Sequence, residues 1–225
     1  MMIETRRRRR GGMQWCLAVV IVGLWLFEFV PLVWAGTPSD QLKASVDEVI
    51  RVLEDPSLKP ESKAQERRAA VRKVADNIFD FPETAKRALG PHWRSLSEKD
   101  QQEFVGLFAD LLERAYLSKI EAYSGEKIAY TGDVIDGDLA TVKTRFTTKK
   151  GTDIPIDYRM LHQGDRWLVY DVSVEGVSLI NNYRTQFNKI IQTSSYQDLV
   201  TRMKSSDMAA PGASDDSRAK AKPRS

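Results

Sequence analysis

Reaction chemistry needs reactive side chains brought together, and this sequence of 225 residues offers few. It has two histidines, His92 and His162, and one cysteine, Cys16. His92 follows Gly90-Pro91, which suits the start of a helix better than a metal ligand. His162 closes an apolar run beside a turn and reads as solvated. No Cys, His, Asp and Glu cluster has the spacing of a metal site. There is no glycine-rich phosphate loop and no G-x-S-x-G nucleophile elbow. Asp157 and Asp171 sit in neighbouring strand-like runs, so either could work with a tyrosine as a general acid or base. Their period-two placement opposite apolar residues predicts instead outward charges paired with strand neighbours such as Arg159. An enzyme using them would need one of the two turned into a cavity.

Charge excludes another class. Of the 34 basic and 31 acidic residues, five Arg and two Glu lie in residues 1–35, which leaves 29 of each sign in the remainder. The basic balance thus belongs to the extreme N-terminus. A chain near neutrality without basic residues interleaved among its aromatics is a poor nucleic-acid binder. The leader reads as an address. Arg6–Arg10 form a positive segment, an apolar run follows from Trp15 to Val30, and Val33-Trp34-Ala35 resembles a signal-peptidase site. Cleavage is expected between Ala35 and Gly36, so that residues 36–225 are exported. Cys16 lies at the start of the apolar run and reads as a bystander. The exported chain then has no cysteine, so packing alone must hold it. An uncleaved leader would make the protein a membrane-anchored adaptor, although Glu28 would be costly in hydrocarbon.

The rest must be positioned by ordinary elements. Residues 36–126 read as helices. Leu42, Val46, Val49, Ile50 and Leu53 recur at helical spacing, with Ser39 or Asp40 as the cap. A second helix carries Ala64, Val71, Val74, Ala75 and Ile78 on one face. Pro82 opens a short helix that Gly90-Pro91 ends. Ser97 and Asp100 open a long one bearing Phe104, Leu107, Phe108, Leu111, Leu112, Ala115, Tyr116 and Ile120. Residues 127–176 alternate as strands around turns at Asp136-Gly137-Asp138, Lys149–Thr152 and Gln163–Asp165. They predict a four-stranded antiparallel meander, apolar on the face toward the helices, with Ile128, Tyr130 and Val134 on that face of the first strand and Val169, Asp171 and Ser173 on the outer face of the fourth. Two helices follow, near Leu179 and Tyr196, and from residue 204 the composition predicts a disordered polar tail. The expected domain is therefore residues 36–203.

Large apolar side chains are unusually abundant in the elements so predicted. They suit a packed core, and a core between a sheet and long helices can also enclose a ligand cavity.

Several segments together carry a resemblance. Phe79-Asp80-Phe81, Ala88-Leu89-Gly90 and Trp93 are followed by Gln102, Phe104, Phe108, Leu111-Leu112 and Tyr116. Then come Tyr158-Arg159-Met160, Trp167–Val172 and the long stretch Glu175–Ile180, Asn182-Tyr183-Arg184 and Phe187. This pattern resembles the MlaC, or toluene-tolerance, family of auxiliary proteins of a phospholipid ABC transport system. The resemblance implies an α+β fold, a helical bundle packed on a twisted antiparallel sheet of the nuclear-transport-factor-2-like kind. It implies a periplasmic phospholipid carrier with no catalytic role and no cofactor. Its partners would be an inner-membrane ABC transporter with an MCE-domain subunit and an outer-membrane lipoprotein complex. Such a carrier would help keep outer-membrane lipid asymmetry and work as a monomer. The alternative within the fold is a small-molecule isomerase or hydratase.

Physics sets what a carrier needs. A diacyl lipid exposes roughly 30 methylenes, on the order of 24 kcal/mol of transfer free energy at ~0.8 kcal/mol each. Only an internal cavity can shelter that much. The lining expected on this reading is Phe104, Phe108, Leu111, Leu112, Tyr116, Tyr158, Met160, Val172, Val174 and Phe187. Arg159 and Arg184 are the expected headgroup contacts, because guanidinium pairs with phosphate.

Overall fold

The structure, a computed structural model, describes residues 36–205 and Met208; the expected leader and nearly all of the expected tail lie outside the described residues. Six helices and five strands run in the order α1 (Pro38–Glu54), α2 (Ala64–Ile78), α3 (Phe81–Leu89), α4 (Glu98–Glu121), β1 (Lys127–Asp136), β2 (Leu139–Thr147), β3 (Asp153–Gln163), β4 (Arg166–Val174), β5 (Val177–Ser178), α5 (Leu179–Thr193) and α6 (Tyr196–Lys204). The fold is α+β as expected, with helices packed on an antiparallel sheet.

Local chemistry sets the helix starts. Thr37, not Ser39 or Asp40, caps α1. Its hydroxyl accepts from the Asp40 amide at 3.1 Å, and the Asp40 carboxylate accepts from the Thr37 amide at 3.2 Å. Pro38 suits the first helical position because its amide would be unpartnered there anyway. Ser39 is thereby free to bond Asp133 on β1. Asp80 caps α3 by accepting from the Glu83 amide at 2.9 Å, and its own amide donates to the Val169 carbonyl of β4 at 2.9 Å. Gly90 ends α3 with φ +56°.

The sheet is a meander in the order β1-β2-β3-β4-β5. It has one strand more than expected: Val174 and Ser173 pair with Val177 and Ser178 around a two-residue turn. Glu175 and Gly176 both have positive φ there, 51° and 81°, the signature of a type I′ hairpin. On β2 the strict alternation holds, with Ala140, Val142 and Thr144 buried and Lys143 and Arg145 exposed.

Two bulges break the period elsewhere. On β1 the register shifts between Tyr130 and Gly132, and beyond it Val134 and Ile135 are both more than half exposed. On β4, Met160 faces Val169 while Arg159 faces Asp171, so Tyr170 is the extra residue. Such an insertion bends the strand and changes which face each side chain meets. Val169, Tyr170 and Asp171 are consequently buried in succession. Asp171, expected on the outer face, is only 4% exposed, and Val169, expected beside it, is fully buried. The bulged carbonyl of Tyr170 is not orphaned, because the Thr84 hydroxyl lies 3.2 Å away.

Apolar packing divides into two cores. The first is entirely helical: Ala85, Ala88 and Leu89 of α3, Phe104, Phe108 and Leu111 of α4, Ile180, Tyr183 and Phe187 of α5, and Leu199 and Met203 of α6. Its aromatics meet edge to face, with ring centres 5.1 Å apart for Phe108–Tyr183 and 5.3 Å for Phe108–Phe187, a favoured arrangement of ring quadrupoles. The second core joins Leu42 of α1 and Ile78 of α2 to Ala140, Val142, Met160, Trp167 and Val169 of the sheet. His162 stacks on Trp167 at 4.6 Å instead of standing free in solvent.

Two substitutions separate packing from hydrogen bonding. Phe108→Ala should lower unfolding free energy by about 3–5 kcal/mol in chemical denaturation, because it hollows out the helical core. Tyr183→Phe should change stability by less than about 1 kcal/mol, because the buried Tyr183 hydroxyl has only the Tyr116 hydroxyl as a partner among the described residues.

Candidate functional site

Between the two cores lies an apolar cavity of about 440 Å³. It is walled by Val71 and Ala75 of α2 and by Leu112, Tyr116, Leu117 and Ile120 of α4; Ile156, Tyr158, Tyr170, Val172 and Val174 of the sheet form its floor. Phe79 and Phe81, where α2 passes into α3, close one side, and Leu179 and Ile180 at the start of α5 another. That volume falls within the range of small-molecule sites, roughly 300–1,000 Å³.

Five of the ten expected lining residues are here: Leu112, Tyr116, Tyr158, Val172 and Val174. The other five are elsewhere. Phe104, Phe108, Leu111 and Phe187 are packed into the helical core, and Met160 lies under α1 in the second core. The cause is helical geometry. Phe104, Phe108 and Leu111 follow one another at spacings of four and three, so they share the face toward α3, α5 and α6. Leu112 and Tyr116 are one residue further on, about 100° around the helix, and so line the cavity. One broad stripe on α4 thus serves two surfaces. The α2 wall was missed because Val71 and Ala75 also fit an ordinary core face. Ile120, 38% exposed although large and apolar, marks the cavity rim.

The polar atoms at the cavity are few. The Tyr116 hydroxyl is buried beside that of Tyr183, and among the described residues the two have only each other as polar partners. Burial raises the Tyr116 phenol above its ordinary value and pushes Tyr158 up to about 12, so both stay neutral. Asp171 reaches the wall, the position that acid–base chemistry would require. Its carboxylate is already committed, however: it accepts from the Ser178 hydroxyl at 2.7 Å, the Ile180 amide at 3.2 Å and Arg159 at 3.3 Å. Asp157 does not line the cavity. Among the described residues no group of three or more His, Cys, Asp or Glu is placed to hold a metal ion. No helix there is long and apolar enough to cross a membrane.

Long charged side chains bridge α2 and α4 along the cavity edge. Arg72 meets Glu113 at 2.6 Å and Asp110 at 3.2 Å, and it also pairs with Asp76 on its own helix. Arg67 and Arg68 both reach Glu121, at 3.0 and 3.3 Å. Partial burial alone would raise the Glu121 pKa, but the Arg68 and Arg67 bonds outweigh it and hold it below the ordinary value of 4.5. A carboxylate lowered in the folded state contributes above its unfolded pKa and loses that contribution as pH falls through the lowered value. The Glu121 bridges are therefore fully charged at neutral pH.

Arg159 and Arg184 do not line the apolar cavity alongside these groups. Both lie in an adjoining pocket of about 370 Å³, which shares Tyr170, Asp171 and Ile180 with the cavity.

The family model for the MlaC protein matches residues 43–205. A relative from Haemophilus influenzae, the intermembrane phospholipid transport system binding protein MlaC, is 25% identical over 125 residues, 53% of this chain and 58% of the relative. The match thus spans less than two thirds of that protein. A solved structure from Ralstonia solanacearum, a phospholipid-binding protein in complex with a phospholipid, superposes with a TM-score of 0.66 at 25% identity. That superposition covers 74% of this chain and 94% of the other. With an α+β cavity fold of this kind and a family match over most of its length, the chain belongs to the MlaC family.

Proposed function

We propose that this protein is a phospholipid-binding transport protein, and that the acyl chains occupy the cavity between α2, α4 and the sheet. The observation that carries the reading is the apolar cavity itself, in a chain whose fold matches a protein solved with a phospholipid bound. Its walls are mostly hydrocarbon and aromatic; its polar groups are neutral phenols, the bonded Thr84 hydroxyl, ion-paired side chains, and Lys119 lying over the Tyr116 ring. Such a surface shelters an acyl chain and offers nothing to turn over a polar substrate. In the same reading the protein works in the periplasm after its leader is removed. It carries lipid between an outer-membrane lipoprotein complex and an inner-membrane ABC transporter with an MCE-domain subunit, supporting outer-membrane lipid asymmetry.

Delivery needs a way out, because a lipid sheltered by many kcal/mol leaves slowly unless the cavity opens. The α2–α4 seam is the natural place. It is held by ion pairs, and the Arg67–Glu121 pair is largely buried, so losing its carboxylate strands a guanidinium and loosens the seam, whereas α4 meets α3, α5 and α6 through the aromatic core.

Three outcomes are expected. The full chain, secreted by a bacterial host and examined by native mass spectrometry with lipid extraction, should carry a phospholipid-mass adduct. A clean apo mass across repeated preparations would sink the reading, and the same spectrum reports whether residues 1–35 are removed. The double variant Leu112→Asp, Val172→Asp should lose the adduct while keeping the wild-type circular dichroism spectrum; retained lipid would show that these walls are not the binding surface. Glu121→Ala, which releases Arg67 and Arg68 together, should speed lipid transfer to acceptor vesicles several-fold. An unchanged rate would place the exit elsewhere.

A further inference from the structure

The pocket that holds Arg159 and Arg184 has a charge imbalance that the fold does not need. Five cationic side chains line it, Lys86, Arg87, Arg94, Arg159 and Arg184, against two carboxylates, Glu83 and Asp171. Glu83 is shared by Lys86 at 3.1 Å and Arg87 at 2.8 Å. Asp171 already serves Ser178 and the α5 backbone as well as Arg159. Arg94 and Arg184 have no ion-pair partner among the described residues.

Three of the guanidinium groups are also held in place. The Arg87 guanidinium carbon lies over the Tyr170 ring, 4.0 Å from its centre. Arg159 is fixed by Asp171. Arg184 lies in a hollow over the Gly90 backbone: a Cβ at position 90 would stand 2.8 Å from its Nε and 3.3 Å from Cζ and Nη2. Position 90 also has φ +56°, which favours glycine on its own account. A solvated arginine on a helix needs no such hollow. Like charges gathered on one pocket repel, and immobilising them removes the freedom to separate. The guanidinium fork matches the oxygens of a phosphate, and pre-positioned donors lose little entropy on binding it.

We infer that this pocket is an anion site for a phosphate group, with Arg184 and Arg159 as its principal donors. Resting on the carrier reading, the phosphate is that of the lipid whose chains fill the neighbouring cavity. The two spaces share Tyr170, Asp171 and Ile180, so they adjoin along one wall, and a lipid whose chains lie in the cavity reaches the pocket around the rim of that wall. Free phosphate offers the same chemistry and is the other source.

The test uses the full secreted chain stripped of lipid. Its affinity is measured for phosphatidylglycerol, for diacylglycerol with the same acyl chains, and for inorganic phosphate. Wild type should prefer phosphatidylglycerol over diacylglycerol by roughly tenfold to a hundredfold, the effect of charge-assisted hydrogen bonds. Arg184→Ala should erase most of that preference and leave diacylglycerol binding as it was. Arg184→Lys, which keeps the charge but not the fork, should fall between and covers the case in which the alanine variant does not fold. Saturable inorganic phosphate binding that Arg184→Lys weakens, with the lipid preference untouched, would support the anion site and assign it to free phosphate. A preference unchanged in both variants, with no phosphate binding, would overturn the proposal. If neither lipid binds, the carrier reading fails, and the phosphate titration alone decides the pocket.

Discussion

One carboxylate fixes the geometry on which the rest depends. Asp171 sits on β4 at only 4% exposure and accepts from the Ser178 side chain, the Ile180 amide and Arg159. Those bonds tie the last long strand to the first turn of α5, where the helix dipole also favours a negative charge. Because α5 carries Tyr183 and Phe187 into the helical core, the position of that whole core relative to the sheet follows from this junction. The bulge at Tyr170 is what turns Asp171 inward, and α3 answers it, with Thr84 against the bulged carbonyl and Asp80 bound to Val169. The wall between cavity and basic pocket is this same knot.

A second constraint follows from it. The helical core and the sheet core are each well packed, and away from the Asp171 junction they approach each other through half-buried residues such as Leu112, Tyr116, Tyr158 and Val172. Interiors are normally filled to crystal-like density. Here bulky rings are spent on each side of a gap, and arginines with long stems span its edge. Empty space is thus built from residues that would elsewhere remove it, and the surrounding aromatics keep it from collapsing.

Much of the fold was legible in the sequence because local rules decided it. Pro82 and Gly90 bound α3, Gly137-Asp138 makes the β1–β2 hairpin, and β2 alternates strictly. What was hidden came from places where one local rule overrode another. No spacing marks Tyr170 as an extra residue, so the outward reading of Asp171 and Val169 was the natural product of a two-residue period. The same holds for Val134, stranded in solvent beyond the β1 bulge. Of the expected lining, the strand residues Tyr158, Val172 and Val174 lie at the cavity because a sheet has only two faces. The α4 residues divided, because a helix face grades continuously, and a shift of one position moved Leu111 to the core and Leu112 to the cavity. Arg159 and Arg184, chosen for their chemistry alone, share one pocket, though it adjoins the cavity instead of belonging to it.

The unfilled gap also has a mechanical meaning. Unfolding collapses internal voids, so the chain occupies less volume unfolded than folded, typically by about 20–100 mL/mol, in proportion to the void eliminated. A protein that keeps a hollow of about 440 Å³ between its cores belongs to the compressible end of that range. Hydrostatic pressure therefore bears first on the walls of this hollow, the least densely packed part of the fold.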